Sequence, residues 1–288
     1  PVPFYTIFTG MMLVQLFYWG TNQQIIQRAL GAKNLVEGQK GLLLGAFIKI
    51  LGPLIVVLPG IIAYHLFQGS IEVSDEAYPK LVKEVLPNYL VGFFAAVLFG
   101  AILSSFNSVL NSSVTLFGMD IYKQHINSNA DEKTIVKYGK IFGVFLAVAA
   151  MFIAPLLMNA ESLFGYLQKV NGVYSIPILT IIIVGYLTKR VPAIAAKIGL
   201  LSGMLLYIGY LVVDEIMNGK FPLHYLDVMA ILFVLNVCIM LLIGKIYPRS
   251  QDFIQTYTKQ IDITPWKYVK QAGVFIFLVV ITVYVYFA

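Results

Sequence analysis

The residues best equipped for chemistry lie in one run, Thr9–Ala32, which reads TGMMLVQLFYWGTNQQIIQRALGA. Phe17, Tyr18 and Trp19 stand side by side, Gly20 follows, and Thr21, Asn22, Gln23 and Gln24 crowd in before Ile25 and Ile26. Aromatic faces stack on the apolar face of a sugar ring, and neutral amides exchange hydrogen bonds with its hydroxyls. The run is long enough to enter a bilayer, where each unsatisfied polar group is penalised. A polar cluster at that depth must face a cavity, a partner helix or a ligand. Gly20 beside the patch is where a helix can break and release backbone groups, as in a discontinuous transporter helix. An interfacial aromatic belt would sit at a segment edge, whereas Tyr18 and Trp19 fall in the middle.

Three more patches carry polar groups at depth. In GAILSSFNSVLNSSVTLFGMDIYK, Ser104 and Ser105 point about 100° apart, and Ser108 returns to their face. Membrane serines commonly bond their own i−4 carbonyl or join helices. The alternative is a cation site: sodium is a small hard ion, and hydroxyls with a freed carbonyl supply neutral oxygen ligands. Lys49, in GLLLGAFIKILGPLIVVLPG, falls about 12 Å of helix rise past the cytoplasmic edge. It either snorkels back or points into a polar cavity, donating to ligand hydroxyls. In FGYLQKVNGVYSIPILTIII, Gln168, Asn171, Gly172, Tyr174, Ser175 and Pro177 cluster, which predicts a bend or unwound turn lined by polar groups.

The elements that must position these groups are membrane helices. Apolar residues make up 59% of the 288, charged residues 12%, and mean hydropathy is +0.82. A soluble domain carries about twice that charge fraction. Crossings are predicted at 4–27, 41–66, 89–121, 136–158, 162–187, 192–213, 226–246 and 269–287, with a short surface helix ahead of Pro87. Lysine and arginine set the orientation, with the first crossing entering from outside. Arg28, Lys33, Lys40, Lys123, Lys189, Arg190 and Lys259 are among fifteen basic residues expected inside, against Lys80, Lys83 and Lys220 outside. Glu72, Asp75, Glu76, Asp214 and Glu215 fall on the outer side. The +6 net charge is thus loop charge, not a nucleic-acid patch. Tyr284, Tyr286 and Phe287 look like interface anchors. His65, His125 and His224 lie far apart, Cys238 stands alone, and no HExxH, phosphate loop or intramembrane acid pair occurs. The reading is an all-α, multi-pass membrane protein of the inner (plasma) membrane without a catalytic constellation, hence not an enzyme.

YWGTNQQIIQRALGAKNLVEGQKG, then AFIK with VVLPG, then AILSSFNSVLNSSVTLFGMDIYK together resemble the sodium/solute symporter family, in particular its sodium–glucose (bacterial sodium/galactose) cotransporter branch. The resemblance runs from about Thr9 through the fifth crossing. It implies an inverted-repeat (LeuT-like) core of two five-helix units. Residues 1–187 would be the second repeat, with its first helix discontinuous, and 188–288 three peripheral helices. The start at Pro1 then suggests that the first repeat, and half of each site, lies upstream of this sequence. Carried over by position, Tyr18 becomes an inner gate beneath the sugar, with Trp19 and Asn22 close by. Lys49 and Gln168 become sugar-hydroxyl partners. Ala101, through its carbonyl, with Ser104 and Ser105 becomes the ligand set for Na+. Gln15 stands where such sugar transporters carry asparagine, so another hexose, inositol or a sugar acid stays open. The implied function is sodium-coupled uptake of a sugar or sugar-like solute by alternating access. A rival of another class, a transporter-like sensor, predicts a soluble signalling segment after the last crossing.

Overall fold

Apolar runs of bilayer length fold here as helices, because a helix satisfies each backbone N–H and C=O within its own segment. The structure, a computed structural model, describes residues 3–68, 70–71, 73–157, 163–255 and 262–287. Glu72, Lys259, the span ends expected at 158 and 162, and the side chain of Phe287 lie outside what is described. Among the described residues there is no strand, and seven helical stretches are long and apolar enough to cross a membrane.

The first expected crossing is not one of the seven. It consists of a 3-10 turn, Phe4–Phe8, then α1, Gly10–Gly20, and α2, Gln23–Leu30, with Thr21 and Asn22 between them. The second expected crossing is also interrupted, which the sequence reading did not anticipate. It comprises α3, Leu35–Lys49, and α4, Gly52–Phe67. Asn34 starts α3 early, its side chain accepting from Glu37 N–H at 2.9 Å. Pro53 has no N–H to give the Lys49 carbonyl, and Ile50 and Leu51 instead close three-residue turns onto Phe47 and Ile48.

The surface helix expected before Pro87 is α5, Ala77–Val85. Next, α6, Asn88–Leu116, runs on into a π-helical stretch, Phe117–Ile126, beyond the expected end at 121. Asp131 caps α7, Glu132–Ile153, by accepting from Thr134 N–H at 3.2 Å, and the Thr134 side chain, with that N–H second, holds its carboxyl below the usual range. The remaining helices are α8, Leu163–Leu187; α9, Ala193–Ile216; α10, Tyr225–Ile246; and α11, Val269–Phe287.

The chain divides into two compact units, Pro1–Ile26 with Phe164–Lys259, and Gln27–Leu163 with Gln260–Ala288. In the first, Leu13, Val14 and Phe17 of α1 share a core with Ile176 and Leu179 of α8, Tyr207 of α9, and Leu226 and Met229 of α10. Gly10 permits the closest approach: a Cβ there would lie 1.9 Å from the Leu226 carbonyl oxygen. In the second, α7 lies against α6, with Phe117 stacked on Phe142 at 4.2 Å and Gly139 against Val114. The connector before α11 is tied to α3, Trp266 N–H donating to Gln39 Oε1 at 2.7 Å.

Candidate functional site

In the first unit the break after α1 follows from its hydrogen bonds. Thr21 N–H and Asn22 N–H both donate to the Phe17 carbonyl, at 2.9 and 3.0 Å, and the Thr21 hydroxyl adds a third at 2.9 Å. Asn22 N–H thus turns to Phe17 rather than Tyr18, leaving the Tyr18 carbonyl out of the helical ladder. Asn22 then restarts the helix: its Oδ1 accepts from Gln24 N–H at 3.0 Å, and its carbonyl from Ile25 and Ile26. With Oδ1 engaged in the cap, the amide nitrogen is what Asn22 can offer a ligand.

The core stripe of α1 is Gly10, Leu13, Val14 and Phe17. At 100° per residue, Gln15 and Trp19 lie on roughly the opposite side, with Tyr18 at the border. Trp19 Nε1 donates to Gln15 Oε1 at 3.0 Å, and Tyr18 meets Trp19 edge to face at 5.2 Å. The extra methylene of Gln15 carries its oxygen one turn along to the indole, so its amide nitrogen is the group left to face outward. Gln168 lies half-buried on α8 of the same unit, which meets α1 where Phe17 packs edge to face on Tyr174 at 5.8 Å.

Of the bend or unwound turn expected around Gly172 and Pro177, the unwound turn is absent. Here α8 is continuous from Leu163 to Leu187, and Gly172, Ser175 and Pro177 are buried in the core. Gly172 is where Tyr207 and Met229 press closest on α8. The packing supports the helix where Pro177 cannot donate. Lys169 ion-pairs with the buried Asp214 of α9, and its carbonyl accepts from the Tyr207 hydroxyl at 2.8 Å. That pair was invisible in sequence because its members lie 45 residues apart.

In the second unit Lys49 is the last residue of α3, exposed and at the newly found break. Ala101, Ser104 and Ser105 lie on α6, which passes through them unbroken. The Ala101 carbonyl lies within this unbroken helix and would meet a cation through its second lone pair. The serines divide more sharply. Ser108, Ser112, Ser113 and Thr115 each donate to the carbonyl four residues back, at 2.8 to 3.0 Å. Among the described residues, the Ser104 and Ser105 hydroxyls make no such bond. Back-bonding, one ordinary role of membrane hydroxyls, thus applies to Ser108, Ser112, Ser113 and Thr115, and not to Ser104 and Ser105.

Sequence reading also missed the continuity of this face. Ser104, Ser108, Asn111, Ser112 and Thr115 recur at helical steps and form one polar stripe along α6. Gln27 and Arg28 of α2 dock on it. Gln27 Nε2 donates to Thr115 Oγ1 at 3.1 Å, and Arg28 donates to Ser108 Oγ. Arg28, expected among the inner loop charges, belongs to α2 and bonds a membrane helix. Among the described residues no cluster of three or more His, Cys, Asp or Glu could hold a metal ion. A cation here would depend on hydroxyl and carbonyl oxygens.

A profile of the Sodium:solute symporter family matches residues 2–209. The chain is similar to the uncharacterized symporter YidK of Escherichia coli K12, 47% identical across 99% of this chain and 49% of that protein. It is 37% identical to the sodium/glucose cotransporter of Vibrio parahaemolyticus, over 68% of this chain and 39% of that protein. It is 34% identical to the human sodium/myo-inositol cotransporter 2, over 75% of this chain and 34% of that protein. The chain spans half or less of the length of these relatives.

Proposed function

The chain belongs to the sodium:solute symporter family, and from that premise we propose that it works in sodium-coupled uptake of a polyhydroxylated ring, a sugar or a cyclitol, by alternating access. It is a multi-pass membrane protein, and in a bacterial cell its place is the inner membrane. The observation that carries the reading is the break at Thr21–Asn22, with Gln15 and Trp19 turned away from their own helix's core and Tyr18 at its border. In the first unit the solute's hydroxyls meet amide groups of Gln15, Asn22 and Gln168, while its apolar face stacks on Tyr18 and Trp19; Lys49, in the second unit, is proposed separately as a donor to solute hydroxyls. Sodium, the co-transported substrate, binds at the Ser104 and Ser105 hydroxyls with the Ala101 carbonyl. The absence of back-bonding at those two serines supports this assignment. Residues 1–187 act as a five-helix repeat and 188–288 as peripheral helices.

Sodium binding favours the substrate-competent, outward-facing state, and its loss inside lets the solute leave past Tyr18. The names of two relatives favour glucose and myo-inositol as first candidates, and the Gln15–Trp19 contact marks where selectivity between them would be set. The test is uptake by the intact gene product in liposomes, against labelled glucose, galactose, myo-inositol and a uronic acid, with and without sodium. Ser105→Ala is expected to raise the sodium requirement, and Tyr18→Ala to abolish accumulation while speeding release. Sodium-independent uptake, or unchanged behaviour in both variants, would overturn the proposal.

A further inference from the structure

Arg28 is a cation on a half-helix, held against the same face of α6 that carries the proposed ion ligands. Its guanidinium donates to Ser108 Oγ, and that hydroxyl in turn donates to the Ser104 carbonyl at 2.8 Å. One side chain therefore separates a permanent positive charge from the backbone carbonyl of Ser104. A basic residue in the last turn of α2 also complements the helix dipole. That role needs only charge near the helix end, not a bond to another helix. The neighbouring Gln27–Thr115 bond at 3.1 Å makes the docking a two-point contact. Between the two anchor points the stripe holds only neutral groups, Asn111 and Ser112, so nothing on it offsets the guanidinium.

We propose that Arg28 is the release switch for the coupling ion: docked on Ser108, its charge lowers the affinity for sodium at Ser104 and Ser105, and undocking restores it. This rests on the ion-site reading above. Two unit charges about 6 Å apart in a medium of effective dielectric 20 to 40 repel enough to weaken binding roughly 10- to 100-fold. A switch of that size separates a loading state from an unloading state without any acidic residue changing its protonation. The planar guanidinium is suited to it because it stays charged at every physiological pH.

The experiment is direct binding of radiolabelled sodium to the purified intact gene product, with sodium-dependent uptake measured alongside. Arg28→Gln is expected to tighten sodium binding by about tenfold or more and to lower the maximal rate, because unloading slows. Solute KM at saturating sodium stays unchanged, whereas general misfolding would move all three. Arg28→Lys keeps the charge and stays near the parent protein. Ser108→Ala, which releases the guanidinium without removing it, shifts binding in the same direction by less and serves if Arg28→Gln fails to insert. Unchanged or weakened sodium binding in both Arg28→Gln and Ser108→Ala would overturn the switch. Ser105→Ala separates the two ideas. If it weakens sodium binding while the Arg28 variants do nothing, the switch alone fails; if it leaves binding intact, the ion site itself is misplaced.

Discussion

Asp214 illustrates how much a single side chain can decide in a membrane helix. It is 5% exposed, bonded by Lys169 and by the Phe221 N–H at 3.4 Å, while the Lys169 side chain keeps 32% of its surface open. Losing the lysine would strand a carboxylate in apolar packing, and breaking a buried pair typically costs about 3–5 kcal/mol. Because Lys169 is partly solvated, Lys169→Met is expected to cost less, on the order of 1–3 kcal/mol, read as a lower thermal midpoint in detergent. The double variant Lys169→Met with Asp214→Leu should recover more than half of that loss, since it removes the stranded charge. Equal destabilisation by the single and double variants would show that the pair is not what holds α8 to α9. The selectivity question also belongs to single residues: Gln15 differs from asparagine by one methylene, and the structure shows where that methylene sends the oxygen, onto Trp19.

Helix ends carry most of the information at the scale of elements. The break between α1 and α2 could be foreseen because Gly20 abuts four polar residues. The one between α3 and α4 is equally signalled by Pro53, yet Leu54–Leu58 is so apolar that the pattern reads as a single span. At α10 the cap is His224, whose Nδ1 accepts from Leu226 N–H at 3.4 Å, and burial pushes the imidazole below its usual pKa. An acceptor nitrogen must be unprotonated, so the folded state holds the neutral ring and binds fewer protons than the unfolded one. The cap's contribution is therefore complete above the unfolded value of about 6.5 and falls away as pH drops below it. His224→Asn, which caps without titrating, is expected to flatten the stability profile between pH 7.5 and 5.5 in a detergent melting series. A variant that keeps the parent's acid sensitivity would remove His224 as its source.

At the scale of the whole molecule the proposal is bounded by the driving force. One charge moving through 100 mV supplies about 2.3 kcal/mol, and a tenfold sodium gradient about 1.4 kcal/mol. Together these support an accumulation of roughly 500-fold at one sodium per solute, falling to about tenfold when an ionophore clamps the voltage to zero. Accumulation unaffected by collapsing the voltage would mean that no net charge crosses with the solute. Composition and the spacing of apolar runs were enough to establish a helical membrane protein and most helix boundaries to within a few residues, because bilayer thickness and backbone satisfaction leave few alternatives; the family was legible only through the resemblance of its long polar-aromatic and serine-rich motifs. They could not show which polar groups are committed to partners. Ser108 and Ser104 look alike in a string of letters. Whether a hydroxyl bonds its own helix, or a lysine finds a carboxylate 45 residues away, depends on distances that exist only once the helices have packed.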